Sequence, residues 1–402
     1  MDEERKLAYI VRIDEVKEIP GYDRVEYARN RGWWCIVRKD QFKVGDLAIY
    51  FEIDSLVPAT KPFEFLESKK YKIKTQKMCG VYSQGLLMSP IDFGWGSSNE
   101  YVTTTDGKQL KVGDDCTKIL GVKYYIPEDN IRKSQKIDPN LKFKSMAQRH
   151  AKIFKTPVFK WLMRRKWGKK LLFVFFGKKK DKPLHFPTKF QFIHKTDENR
   201  CENVWPNLEG NKEKWVQTTK IDGSSATYIM ERKPFGRMEY YVCSRNVRLL
   251  KPDQDCFHDK NYYWEASDKY CVRDFLSECL KNNPQWDYVC LQGEIAGPNI
   301  QGNPHKFKEL RLFGFNFIDS ENGRWNSIEA AKFCREHSPI EWVPVIRDDY
   351  VIPDTLEELK LQADGECEAP GASGLREGFV YRSQDGQRSF KNVSRKYLMK
   401  HE

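Results

Sequence analysis

Lys220-Ile221-Asp222-Gly223-Ser224-Ser225 places a lysine two residues before a carboxylate and a glycine. An amine attacks phosphorus only when neutral, so such a lysine needs surroundings that favour loss of its proton, and a nearby divalent cation supplies that electrostatically. If the segment is extended, Asp222 points to the same side as Lys220, where it can position a metal or a metal-bound water near a phosphate. Gly223 then permits a tight turn or a close approach of backbone to a nucleotide. Taken alone, the four residues read as an ordinary surface turn, because Asp-Gly is a common turn pair. What sets them apart is an ordered series downstream: Ser244-Arg245-Asn246, Gln292-Gly293-Glu294, Glu377-Gly378-Phe379-Val380 and Ser389-Phe390-Lys391.

Each member has a chemical use. Arg245 follows an apolar strand and offers a planar fork of donors to a phosphate-like anion; singly, it reads as a surface salt bridge. Glu294 follows Val289-Cys290-Leu291, which puts its carboxylate at a strand end where ribose hydroxyls or a metal can be held. Glu377 opens a second strand. Asp222, Glu294 and Glu377 together form an acidic cluster suited to a divalent metal and ATP phosphates. Lys391 brings positive charge to an α-phosphate where negative charge develops. In Leu312-Phe313-Gly314-Phe315-Asn316-Phe317 at least two phenylalanines belong to the core, and Phe315 is assigned to stacking on a purine.

These residues need two or three packed domains to hold them, which 402 residues with 40% apolar content allow. Residues 1–121 read as short strands between turns: Leu7–Ile13, Trp33–Val37, Leu47–Ile53 and Ser83–Met88, with Pro20-Gly21-Tyr22-Asp23 and Val44-Gly45-Asp46 as breaks. An OB-like β-barrel is expected, a fold that presents a strand face to oligonucleotides. Trp33, Trp34, Tyr50 and Phe51 can stack bases, but the core reading is favoured for any one of them. Residues 187–402 read as mixed α and β. Strands are expected over Ala226–Met230, Tyr240–Cys243, Tyr288–Leu291 and Leu312–Ile318. Cys271, Val272, Phe275, Leu276, Cys279 and Leu280 recur at helical spacing before Pro284. Thr355-Leu356-Glu357-Glu358 opens another helix with a capping-box pattern that Gly365 can close.

The formal charge of +12 is local: Leu141 to Lys182 holds 15 Lys or Arg against Asp181 alone, so this segment carries +14 and the rest −2. Such a patch attracts a polyanion, nucleic acid or an acidic membrane surface. It lies in a connector, 122–186, with an amphipathic helix expected over Val158–Phe176. There Arg164, Arg165, Lys166, Lys169 and Lys170 alternate with Trp and Phe, which suits an RNA strand or an anionic lipid surface. A solvated basic face with its apolar side packed on a neighbouring domain fits equally. The 11 cysteines show no paired spacing, so reduced thiols in an intracellular monomer are expected rather than disulfides or a zinc site. The acidic start and short apolar runs fit neither a signal peptide nor a membrane span.

The ordered series resembles the motifs of the covalent nucleotidyltransferase superfamily, ATP-dependent ligases and capping enzymes, over about residues 190–400. Within it, Ile19-Pro20-Gly21-Tyr22-Asp23-Arg24-Val25-Glu26, Gly45-Asp46 to Asp54, and Lys195-Thr196-Asp197-Glu198-Asn199-Arg200 look like RNA ligases of the Naegleria type. Capping enzymes and most DNA ligases of the superfamily carry an OB domain after the last motif, whereas 11 residues follow Lys391 here. The resemblance implies an α+β chain: an N-terminal OB domain, then an ATP-grasp-like nucleotidyltransferase domain of antiparallel sheets with flanking helices. It also implies ATP-dependent joining of a 3′-OH RNA end to a 5′-phosphate end with Mg2+ or Mn2+. Lys220 would take up AMP; Arg245 and the glutamates would contact sugar, phosphate or metal; Lys391 would contact the α-phosphate. Members usually show two lysines one residue apart in the last motif; here Ser389 stands first, preceded by Arg388, so Arg388 substitutes or a phosphate contact is lost. A DNA ligase, a GTP-dependent capping-type enzyme and a noncatalytic RNA-binding protein are the alternatives.

Overall fold

The structure, a computed structural model, describes residues 6–125, 161–162, 165, 167–168, 171–172, 186–193, 198–249, 251 and 261–401. In the first domain Leu47–Phe51 pairs antiparallel with Ala8–Arg12 on one side and Leu86–Met88 on the other. Its residues are buried throughout because alternate side chains enter different cores: Leu47, Ile49 and Phe51 one, Ala48 and Tyr50 the other. The second core is closed by the meander Glu15–Ile19, Tyr22–Asn30 and Trp33–Arg38. Among the described residues these ladders stay separate, so the expected barrel is realised as sheets wrapped around two cores without a closed hydrogen-bond ring. Trp33, Tyr50 and Phe51 are core. Trp34 is half-buried and stacks on Tyr27 at 4.5 Å, with Lys17 5.0 Å from its ring.

The second domain holds two sheets. The smaller is ordered Asn199–Arg200, Ser389–Val393, Gly378–Ser383, Lys214–Lys220, Val345–Val351. The larger runs Arg248–Leu249, Met238–Ser244, Ser224–Arg232, Tyr288–Ala296, Arg311–Asp319, Gly323–Arg324, with Glu341–Trp342 beside Arg311–Asp319. All pairings are antiparallel except those of Asn199–Arg200 and Glu341–Trp342. The expected helix forms as Val272–Asn282, and its Val272, Phe275, Leu276 and Leu280 pack with Tyr228, Leu291 and Phe317 of the large sheet. Thr355 caps Leu356–Gln362 by accepting from Glu358 N at 3.3 Å. Gly365 does not close that helix. It lies beyond the Ala363 cap at φ 151°, where a Cβ would stand 2.1 Å from Arg376 Nη2.

The domains meet where Gly32 N–H donates to Glu202 O at 3.0 Å and Trp33 Nε1 to Asn203 Oδ1 at 2.5 Å. Ile53 packs on Val393 and Leu398. Under this contact Lys360 Nζ sits 2.7 Å from Glu202 Oε1, both side chains 1% exposed. Of Val158–Phe176, helical backbone is seen at 161–162, 167–168 and 171–172; Arg164, Lys166, Lys169 and Lys170 lie outside the described residues. Trp161, Trp167 and Leu171 are exposed and Leu172 is buried, with the Arg165 guanidinium 4.2 Å from the Trp161 ring. All ten cysteines among the described residues are free thiols, and no helix among them is long and apolar enough to cross a membrane.

Candidate active site

Lys220 ends a strand of the small sheet, and Ser224 begins a strand of the large one. Ile221-Asp222-Gly223 is therefore the crossing between sheets, anchored by Ile221, which is buried with Phe313 and Val343. The close approach that demands glycine at 223 is to protein: a Cβ there would lie 2.3 Å from Ile295 O. Gly223→Ala must shift this crossing against the Ile295 backbone. Because a displacement of about 1 Å at reacting groups lowers rates about 10²-fold, covalent labelling by ATP is expected to fall by that factor in single-turnover assays.

Lys220 Nζ lies 2.8 Å from Glu377 Oε2, and both side chains are mostly buried. Burial acts against the charged amine, but Glu377, Glu294 and Asp222 outweigh it and raise the lysine above its ordinary range. The resting lysine is thus a cation, not the free amine its chemistry requires. Burial pushes Glu294 up to about 8, opposed by Lys220 and reinforced by Glu377 and Asp222. Burial and Glu377 push Asp222 up to about 6, against a hydrogen bond from Tyr397. That bond, Tyr397 Oη to Asp222 Oδ2, is 2.6 Å. On the other side His305 Nε2 accepts the Asp222 N–H at 2.9 Å; burial lowers this histidine to about 4, so it stays neutral at pH 7. Tyr397→Phe keeps the ring but removes one hydrogen bond to a carboxylate, a contribution of about 1.5–3 kcal/mol. Labelling by ATP is expected to slow about tenfold or more, with the melting temperature little changed.

Among the described residues no group of three His, Cys, Asp or Glu side chains is close enough to hold one ion directly. Small divalent cations keep several waters and bind through few carboxylates, so Asp222, Glu294 and Glu377 fit a hydrated ion beside the lysine. The raised values of Glu294 and Asp222 record crowded negative charge that such an ion would relieve.

Lys220, Asp222 and Glu294 border a cavity of about 580 Å³ between the sheets, also lined by Phe315, Val343, Val380 and Lys391. Phe313 and Phe317 are fully buried in different cores. Gln292 pairs with Asn316 and Gly293 with Gly314, so Phe315 is the extra residue of a bulge. Strict alternation would have put all three rings on one face; the bulge sends Phe317 to the helices and leaves Phe315 at the cavity. Arg245 is exposed at the rim. Arg388 does not stand in for the absent lysine: it pairs with Glu213 at 2.8 and 2.9 Å on the surface. Ser389 Oγ donates to Glu198 instead. Sequence reasoning missed Glu198, Tyr263 and Arg382, which line the cavity, and His305 and Tyr397, which hold Asp222. For Arg382 the signal was there, two residues after Val380 on one strand face. The cavity shares Glu198 and Lys391 with a cleft of about 470 Å³ between the domains, where Lys6, Arg31 and Arg200 gather.

A family profile described as an OB-fold domain matches residues 7–91, and one described as RNA ligase matches residues 213–398. No match arises among curated protein sequences. Among solved structures, Naegleria gruberi RNA ligase with PPi is similar at 28% identity and TM-score 0.70, covering 99% of each chain. Mutants of that ligase with ATP and Mn, and with AMP and Mn, match at 28% identity with TM-scores of 0.71 and 0.69 over 99% of each chain. The order of domains agrees with these matches, and the chain belongs to the RNA ligases of the Naegleria type, in which an OB domain precedes the nucleotidyltransferase domain.

Proposed function

We propose that this ligase uses ATP to join a 3′-OH RNA end to a 5′-phosphate RNA end, with Lys220 as the residue that carries AMP. The observation that carries this reading is that Lys220, Asp222, Glu294, Phe315 and Lys391 line one cavity, with Glu377 paired to the Lys220 amine. Phe315 and Val380 offer apolar faces to the adenine. Lys220 Nζ gives up its proton, for which Glu377 is the carboxylate in reach, and forms a bond to the α-phosphorus. The α–β bridging P–O bond breaks and pyrophosphate leaves. Lys391 offers positive charge to the α-phosphate as negative charge builds there. An oxygen of the RNA 5′-phosphate next displaces Lys220 from AMP, and the 3′-oxygen finally displaces AMP from the RNA 5′-phosphorus. Asp222, Glu294 and Glu377 would hold hydrated Mg2+ or Mn2+, whose charge lowers the lysine pKa and screens the phosphates.

The reading also takes the chain as a monomer of a reducing intracellular compartment; the ten free thiols among the described residues support the reducing compartment. Arg165 beside the exposed Trp161 supports a basic connector that follows an RNA strand, with an anionic membrane surface as the competing ligand. Sedimentation with anionic liposomes and with RNA at varied salt separates the two.

Incubation with α-labelled ATP and Mg2+ or Mn2+ should mark the protein covalently, and the label should then pass to a 5′-phosphorylated RNA. Labelling by GTP alone, or transfer to DNA nicks in preference to RNA, would replace this reading with a capping-type enzyme or a DNA ligase. RNA binding without any label would leave a noncatalytic protein.

A further inference from the structure

Arg382 is 3% exposed, yet it is poorly bonded. Its Nε has no hydrogen-bond partner, and its Nη2 reaches Glu198 Oε1 only at 3.5 Å. A buried guanidinium normally has its donors filled, because removing it from water without replacement bonds is expensive. Glu198 is itself divided, its second oxygen accepting from Ser389. Another guanidinium, Arg324, acts on Arg382 and has a carbonyl contact at 3.4 Å. Arg382 thus has one weakly engaged carboxylate and a second cation acting on it.

The sheet register shows where this charge faces. Arg382 lies directly across from Ser389, and Val380 across from Lys391. Residues two apart share a face, so Arg382, Val380, Ser389 and Lys391 all stand on the cavity side. The guanidinium carbon is 5.8 Å from the Phe315 ring, and Arg382 borders the same cavity as Lys220. The short Ser389 side chain is turned to Glu198, and Arg382 is the member of this cross-strand pair that lines the cavity.

We propose that Arg382 is a phosphate-contacting residue of the nucleotide cavity, with Glu198 holding its guanidinium in place until the anion arrives. This rests on the nucleotide reading above. The planar fork of arginine matches two phosphate oxygens, and a phosphate would fill the donors that protein leaves empty.

The test measures binding of α,β-methylene-ATP, whose α–β link cannot be cleaved by the proposed attack, and of adenosine, which lacks phosphates. Arg382→Gln should weaken the triphosphate about tenfold or more and leave adenosine within about twofold. Adding Ser389→Lys, which places a cation on the same face directly opposite, should recover part of the loss. Melting temperatures establish that each variant is folded. If Arg382→Gln does not fold, Arg382→Lys carries the test, with an expected loss of about threefold for the triphosphate alone. Unchanged triphosphate affinity in a folded variant, or equal losses for triphosphate and adenosine, would overturn the assignment. A wild-type chain that binds neither compound would overturn the nucleotide reading itself, and the assignment with it.

Discussion

Lys220→Ala and Lys220→Arg chains are both expected to lose covalent labelling by ATP, and RNA joining should fall on the order of 10⁵-fold. Alanine removes the amine. Arginine keeps a positive charge beside Glu377, 2.8 Å from the native amine, but a guanidinium does not release its proton at any working pH. Equal failure of the two variants separates the need for a nucleophile from the need for a charge. Joining of an RNA whose 5′ end already carries AMP should persist in both, because Lys220 is not the attacking group in that last step. Denaturing gels with α-labelled ATP read the first effect and product formation from the adenylylated strand reads the second. Residual label on either variant would remove Lys220 from the role of nucleophile.

The largest stability effect is expected at Lys360→Met, far from any phosphate. Lys360 and Glu202 are each 1% exposed and 2.7 Å apart, and Lys360 Nζ also donates to Val393 O at 2.8 Å. Removing the lysine strands a buried carboxylate and is expected to lower unfolding free energy by about 3–5 kcal/mol in urea titrations. Replacing both partners by methionine should recover most of that loss, because the desolvation penalty disappears with the charges. A single substitution as damaging as the pair would contradict this account. Burial works to raise the Glu202 pKa, but Lys360 and Arg200 outweigh it and hold the carboxylate below its ordinary range. Such a group stabilises the fold above its unfolded pKa, about 4.3, and that contribution drains away as pH falls below it. The Glu202→Met, Lys360→Met chain should therefore show a shallower loss of stability in acid than the native chain.

Much of the site was legible because its chemistry is tied to short local patterns. Lys220 and Asp222 come together because they stand two residues apart where the chain crosses between the sheets, and Glu377 precedes a strand whose pairing, Gly378 opposite Lys220, brings its carboxylate to the amine. Other features depended on contacts that local pattern does not encode. Tyr397, 175 residues after Asp222, reaches it from the last helix. His305 sits in a loop with no periodicity. The bulge at Phe315 appears in the register between two strands, where a single extra residue re-aims a ring. Of the two alternatives at Ser389, substitution by Arg388 is excluded for a tertiary reason, since Glu213 draws that side chain to the surface.

By itself, then, the sequence determined the domain order, the lysine proposed to react, the acidic residues around it and the concentration of positive charge in the connector, because residue type, spacing and composition carry that information. The tertiary structure decided the lysine's resting charge. Burial and Coulomb interactions depend on distance in space, and only folding sets the 2.8 Å between Lys220 and Glu377. It decided likewise which cation faces the cavity, because sheet register and a competing carboxylate place Arg382 there and turn Arg388 away.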